Sequence, residues 1–91
     1  MTLDVLRQQI DAIDDQLVRL LNERAARALE IGRIKRASGL PMYQPDRETQ
    51  VLQRVRGASA ACGGPLGPDA ITRLFERIID EARSLEFKAA R

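Results

Sequence analysis

Residues 3–36 read LDVLRQQIDAIDDQLVRLLNERAARALEIGRIKR, and this stretch decides the fold of the chain. It contains no proline and a single glycine, Gly32, so nothing in it forces a helix to stop. Apolar residues recur in steps of three and four, as in a helix that packs lengthwise against other helices. Arg24 and Arg27 interrupt this apolar seam. Because a charge in a seam is costly unless a partner or ligand neutralises it, the interruption is the first indication of a functional site.

The predicted helix is too long for the rest of the chain. At about 1.5 Å per residue it would extend about 50 Å, whereas a compact monomer of this size has a radius of gyration of about 13 Å. We expect the whole chain, residues 1–91, to form a single domain with a modest core. The exposed seam then needs cover from another chain, which makes a homodimer the first expectation.

Composition narrows the class of protein. The chain has 15 basic and 13 acidic residues, a net charge of +2, and only one tyrosine and two phenylalanines as aromatic residues. This balance predicts no nucleic-acid partner. A single cysteine and no histidine argue against an internal disulfide and against the usual zinc sites. No export signal or long apolar run is evident, so we expect no membrane association and a cytoplasmic protein.

Two shorter helices are predicted after the long one. Residues 37–45 contain two prolines and form a connecting loop, and Pro45 is suited to the first position of a second helix. We expect this helix to end near residue 56 or 57. The next residues, GASAACGGPLG, predict a flexible link, and Pro68 begins a third helix that extends to about residue 87. The predicted fold is therefore all-α, with one long and two shorter helices.

One charged residue of the third helix falls among its apolar residues. Its apolar residues fall in a sector of about 140° at about 100° per residue, and Glu86 falls inside that sector. The other charged residues of this helix, Arg83 among them, are predicted to point elsewhere. Glu86 is then either an edge residue whose carboxylate reaches water near a frayed end, or an acid buried against cations.

Arg24 and Lys35 share a face of the first helix. They lie about 20° apart in direction and about 16 Å apart along the axis. The residues between them on this face, such as Ala28 and Gly32, are small and leave room for a ligand or for a close backbone approach. The two cations either converge on a small anion, or extend to solvent while the small residues allow tight helix packing.

Two interpretations are also open for Arg7, and two for the neighbouring residues Arg47 and Glu48. Arg7 lies about 25 Å from Arg24 along the helix, so it either remains solvated or enters the site of an antiparallel partner. Glu48, in the first turn of the second helix, suits the positive end of the helix dipole, with Arg47 on the surface. Alternatively both point inward, where Arg47 could bind a carboxylate and Glu48 could accept a hydroxyl.

Four segments in this order resemble one family, the all-helical, AroQ-class chorismate mutases. They are LRQQIDAIDDQLVRLLNER, EIGRIKR, PDRE at the start of the second helix, and ITRLFERIIDEARSLE. The resemblance covers about residues 3–87. It implies an intertwined helical homodimer that catalyses the Claisen rearrangement of chorismate to prephenate in phenylalanine and tyrosine biosynthesis. It also implies no cofactor and no metal.

The resemblance assigns roles to five charged residues. Arg7 matches the arginine that one subunit donates to the site of its partner. Arg24 and Arg47 match the arginines that bind the substrate carboxylates from the same chain. Lys35 matches the lysine that contacts the ether oxygen and a carboxylate, and Glu86 matches a second donor to the ether oxygen, which is glutamine in many members. We therefore expect Lys35, Glu86 and Arg24 to be catalytic.

Three further positions complete the expected substrate site. Glu48 matches the acid that receives the ring hydroxyl. Gln44 stands where an aspartate often lies near that hydroxyl, and Ala82 stands where some members have serine. Each of these two differences from the family weakens one polar contact, and both leave the charged residues of the site intact.

Two alternatives remain at this point. An isochorismate pyruvate lyase shares this fold and similar cations, although PDRE and Glu86 look more like the mutase. A non-catalytic helical dimerisation or regulatory module would not need Arg24, Lys35 and Glu86 together in apolar stripes.

Overall fold

The computed structural model describes residues 1–90, and these form three α-helices and no strand. Helix α1 spans Leu3–Ser38, α2 spans Pro45–Cys62, and α3 spans Pro68–Ala89. The predicted all-α class with one long and two shorter helices is confirmed. None of the helices in residues 1–90 is both long enough and apolar enough to cross a membrane.

Helix α1 has defined ends. The Thr2 hydroxyl accepts a hydrogen bond from the Val5 backbone N–H at 3.2 Å, as expected of a helix N-cap. At the other end Gly39 adopts a left-handed conformation with φ of 69°, and the Leu40 N–H donates to the Lys35 carbonyl at 2.8 Å. The helix is uninterrupted between these caps and gives the chain its longest dimension, 54 Å.

The helices pack around a small core. α3 packs against both α2 and α1, and the buried apolar residues are Val51, Val55 and Ile79. Every residue from 1 to 23 is exposed, including the apolar residues of the α1 seam: Leu3, Leu6, Ile10, Ile13, Leu17 and Leu20. A single chain therefore leaves the first half of α1 uncovered.

The predicted end of the second helix is wrong. α2 continues through Gly57 to Cys62 and ends at Gly63, whose φ of 68° is left-handed. Alanine is the strongest helix former, and three alanines follow Gly57, which outweighs the modest cost of one glycine. The supposedly flexible link shortens to residues 63–67, and the Ser59 hydroxyl donates to the Leu66 carbonyl across it at 3.0 Å.

We expect Gly57→Ala to stabilise the protein by about 0.5–1 kcal/mol, because an added Cβ meets nothing within 4 Å and glycine is unfavourable inside a helix. Denaturant unfolding measures the change. The matched control is Gly63→Ala, which we expect to destabilise the protein because alanine is strained at a positive φ. A loss of stability in Gly57→Ala would mean that α2 does not continue past residue 56.

Candidate active site

A buried ion pair joins α1 to α3. Lys35 Nζ lies 3.7 Å from a carboxylate oxygen of Glu86, and the side chains are only 12% and 11% exposed. Lys35 Nζ also donates to the Met42 carbonyl at 3.1 Å, which ties the α1–α2 loop to the pair. Lys35 therefore does not extend to solvent, and Glu86 is not a frayed edge residue. Buried pairs of this kind carry a desolvation cost, so they are weak evidence for stability and stronger evidence for a site.

Gly32 allows the two helices to approach at this point. It is the one buried residue of α1, and a Cβ at its position would lie 3.3 Å from Cγ of Glu86. The absence of a side chain therefore makes room for the stem of Glu86 one turn before Lys35. Of the two interpretations of the small residues, Gly32 supports close packing.

The Lys35–Glu86 pair faces a cleft of about 440 Å³. This volume suits a small molecule. α1, the α1–α2 loop, α2 and α3 all contribute to its lining: Arg24, Arg27, Ala28, Ile31, Lys35, Met42, Gln44, Arg47, Glu48, Val51, Ile79, Ala82, Arg83 and Glu86.

Seven of the eight residues predicted for the site lie together in this cleft, although they come from three helices and a loop. They are Arg24, Lys35, Gln44, Arg47, Glu48, Ala82 and Glu86. Arg7 does not join them, since it lies on the exposed first half of α1. Within one chain the cleft is therefore without this arginine, as the length of α1 predicts.

Arg83 lines the cleft, contrary to the prediction that it points elsewhere. Its Nη2 and Nε donate to the two carboxylate oxygens of Glu48 at 2.5 and 3.2 Å. This hydrogen bonding raises the pKa of the Arg83 guanidinium above its usual value, while partial burial acts in the opposite direction. On the helical wheel Arg83 lies about 40° outside the apolar sector, and from there a long side chain can still reach the cleft.

Positive charge exceeds negative charge in the cleft. Among the residues that the structure describes, five cationic side chains and two carboxylates line it. The carboxylates of Glu86 and Glu48 are paired with Lys35 and Arg83 respectively. Arg24 is half-buried, while Arg47 is exposed and donates to Gln50 Oε1 at 2.7 Å. Arginines at the mouth and an ion pair at the base suit a small ligand with more than one carboxylate.

No cluster of three or more histidine, cysteine, aspartate or glutamate side chains that could hold a metal occurs in residues 1–90. The fold and the cleft define a class of protein, an all-helical one with a cleft whose excess positive charge suits a small organic anion. A comparison with family models identifies the family: residues 6–87 match chorismate mutase type II, and the chain belongs to that family.

Named relatives agree with this assignment. The bifunctional chorismate mutase/prephenate dehydratase of Aquifex aeolicus is 39% identical over 84 residues, which make up 91% of this chain and 23% of that protein. The chain spans less than a quarter of the length of the curated relatives it matches.

Solved structures match over nearly their whole length. A chorismate mutase from Thermus thermophilus superposes with a TM-score of 0.83 at 35% identity, covering 91% of each chain. A chorismate mutase from Helicobacter pylori, solved in complex with prephenate, gives a TM-score of 0.84 at 31% identity and covers 97% of this chain and 92% of its own. These matches bear out the predicted family and helical fold.

We expect Gly32→Ala to destabilise the protein by about 1 kcal/mol, the opposite sign to Gly57→Ala. The added Cβ would lie 3.3 Å from Cγ of Glu86, and this buried side chain is held by Lys35, so it has little freedom to move away. Both variants gain the same helix propensity, so their difference in unfolding free energy isolates the contact between α1 and α3. Equal stabilisation by the two substitutions would contradict the close approach of Glu86 to Gly32.

Proposed function

We propose that the chain catalyses the rearrangement of chorismate to prephenate as part of a homodimer. The observation that carries the proposal is the buried Lys35–Glu86 pair at a cleft with excess positive charge. Chorismate carries two carboxylates and an ether oxygen, which match arginines and hydrogen-bond donors respectively. Family membership supports the reaction, and the Helicobacter pylori protein was solved with its product.

The arginines hold the substrate in its reactive shape. The reaction is pericyclic, so the ether C–O bond breaks as the new C–C bond forms within one molecule. Chorismate is flexible, and catalysis gains from fixing it in the compact chair-like conformer that reacts. Arg24 and Arg47 line the cleft and bind the carboxylates in this proposal.

Arg7 of the partner subunit completes the set of arginines. In one chain Arg7 belongs to the exposed part of α1, whose apolar seam lacks cover. Two such helices that run antiparallel would cover each other and bring the start of one beside the cleft of the other. Dimerisation is therefore required for activity in this proposal.

Lys35 and Glu86 act on the ether oxygen. Negative charge develops on this oxygen as the C–O bond breaks, so donors aimed at it bind the transition state more tightly than the substrate. Lys35 donates as an ammonium group. Glu86 donates only when its carboxyl carries a proton, so in the reactive state the two side chains are neighbours but not an ion pair. Their low exposure strengthens both interactions, because water competes less in a low-dielectric site.

The remaining polar contacts hold the ring. Glu48 accepts the ring hydroxyl, and Gln44 lies in the same cleft with an amide that can serve as donor or acceptor. Ala82 has no polar atom in its side chain, so it contributes shape to the cleft and no hydrogen bond. We also infer that the protein acts without a cofactor and in the cytoplasm.

The assay of the proposal follows the loss of the ultraviolet absorbance of chorismate after adding purified protein, with identification of the product. We expect prephenate from chorismate and no pyruvate from isochorismate. Pyruvate from isochorismate would favour the lyase instead. Absence of turnover with either substrate, together with no binding of a bicyclic dicarboxylate mimic of the transition state, would favour a non-catalytic module.

We expect Glu86→Gln to retain activity, because the amide of glutamine can donate to the ether oxygen. Glu86→Ala removes the donor and should lower kcat/KM by at least about 100-fold. Steady-state kinetics of the two variants measure the difference. Near-normal turnover in Glu86→Ala would remove Glu86 from this role.

We expect Lys35→Ala and Arg24→Ala each to lower kcat/KM by at least about 100-fold with the helical fold retained, since each removes an interaction with the transition state. Steady-state kinetics and far-ultraviolet circular dichroism measure the two properties separately. Arg33→Ala on the exposed face of α1 is the matched control and should leave the rate unchanged. Near-normal turnover in either site variant would contradict the proposed roles.

A further inference from the structure

Arg83 binds Glu48 through two hydrogen bonds. Two nitrogens of one guanidinium donate to the two oxygens of one carboxylate, an arrangement that fixes both distance and orientation. The residues come from α3 and α2, so the contact also sets how the two helices face each other across the cleft. Both side chains are partly shielded, with 33% of Arg83 and 26% of Glu48 exposed.

Arg83 is itself held on two further sides. Its guanidinium lies 4.9 Å from the centre of the Tyr43 ring, a cation–π distance, and Nη1 lies 3.6 Å from a carboxylate oxygen of Asp80. Tyr43 belongs to the same short loop that Lys35 contacts through Met42. These contacts restrict a side chain that would otherwise have many rotamers, so it can impose one orientation on Glu48.

We propose that Arg83 is a positioning residue that holds the Glu48 carboxylate ready to accept the ring hydroxyl of the substrate. The proposal rests on the proposed function of the cleft. An ionised carboxylate offers about four lone-pair sites, so two bonds to Arg83 leave acceptor capacity for the substrate. The hydroxyl then binds an acceptor that is already ordered in the free protein, so substrate binding does not cost the entropy of ordering Glu48.

This role predicts a specific kinetic signature. The rearrangement breaks and forms no bond of the ring hydroxyl. Its hydrogen bond to Glu48 is therefore equally strong in the ground state and the transition state. An interaction of that kind changes KM and leaves kcat nearly constant. A residue that touched the ether oxygen would change kcat instead.

The test is a double-mutant cycle in KM with Arg83→Met, Glu48→Gln and the double variant. Methionine keeps the apolar stem and removes the donors. We expect Arg83→Met to raise KM about tenfold with kcat changed less than about twofold, the scale of one lost charge-assisted hydrogen bond. The double variant should be no worse than Glu48→Gln alone, because Arg83 then has no carboxylate to position.

Two further variants keep the test decisive. Arg83→Lys retains the charge without the two-pronged geometry and should give an intermediate KM; it also serves if Arg83→Met fails to fold. Arg73→Met makes the same change at an exposed site of α3 outside the cleft and should match the wild type.

Each outcome bears on one proposal. KM effects that multiply in the double variant, or a loss confined to kcat, would overturn the positioning role, as would a lower KM in Arg83→Met. Coupling seen in unfolding free energy but absent from KM would reduce the pair to a structural one and overturn the role as well. A wild-type protein that does not consume chorismate would instead overturn the proposed function itself.

Discussion

The contact between α1 and α3 at Gly32 is the constraint on which the rest of the structure depends. Because Gly32 has no side chain, α3 brings Glu86 close enough to α1 for its carboxylate to meet Lys35 at 3.7 Å. Lys35 in turn binds the Met42 carbonyl and holds the loop that leads to α2. One close approach between helices therefore sets the base of the cleft and the position of the elements on either side.

The second constraint is the length of α1. The core of one chain consists of a few residues between α2 and α3. The first half of α1 carries an apolar seam that no other part of residues 1–90 covers. The same half carries Arg7, the one proposed site residue outside the cleft. Stability and catalysis thus have the same requirement in this account, since a second chain that covers the seam also supplies the missing arginine.

Residue periodicity predicts the faces of the helices, but it does not predict the contacts between helices. The seam of α1 and the position of Glu86 within an apolar sector both follow from about 100° per residue, and the structure buries Glu86. The predicted end of α2 is wrong because the helix propensity of three alanines outweighs the cost of Gly57 before them. Arg83 was missed because its partner, Glu48, is 35 residues away in sequence, and a helical wheel does not show which helix a long side chain will reach.

Complementation between two inactive variants tests most directly the claim that each site uses one chain's cleft and the other chain's Arg7. Arg7→Ala and Lys35→Ala are assayed alone and after refolding together in equal amounts. Random pairing makes about half of the dimers mixed, each with one intact site, so the mixture should recover about a quarter of the wild-type rate. A mixture no more active than the average of the two variants would contradict the account.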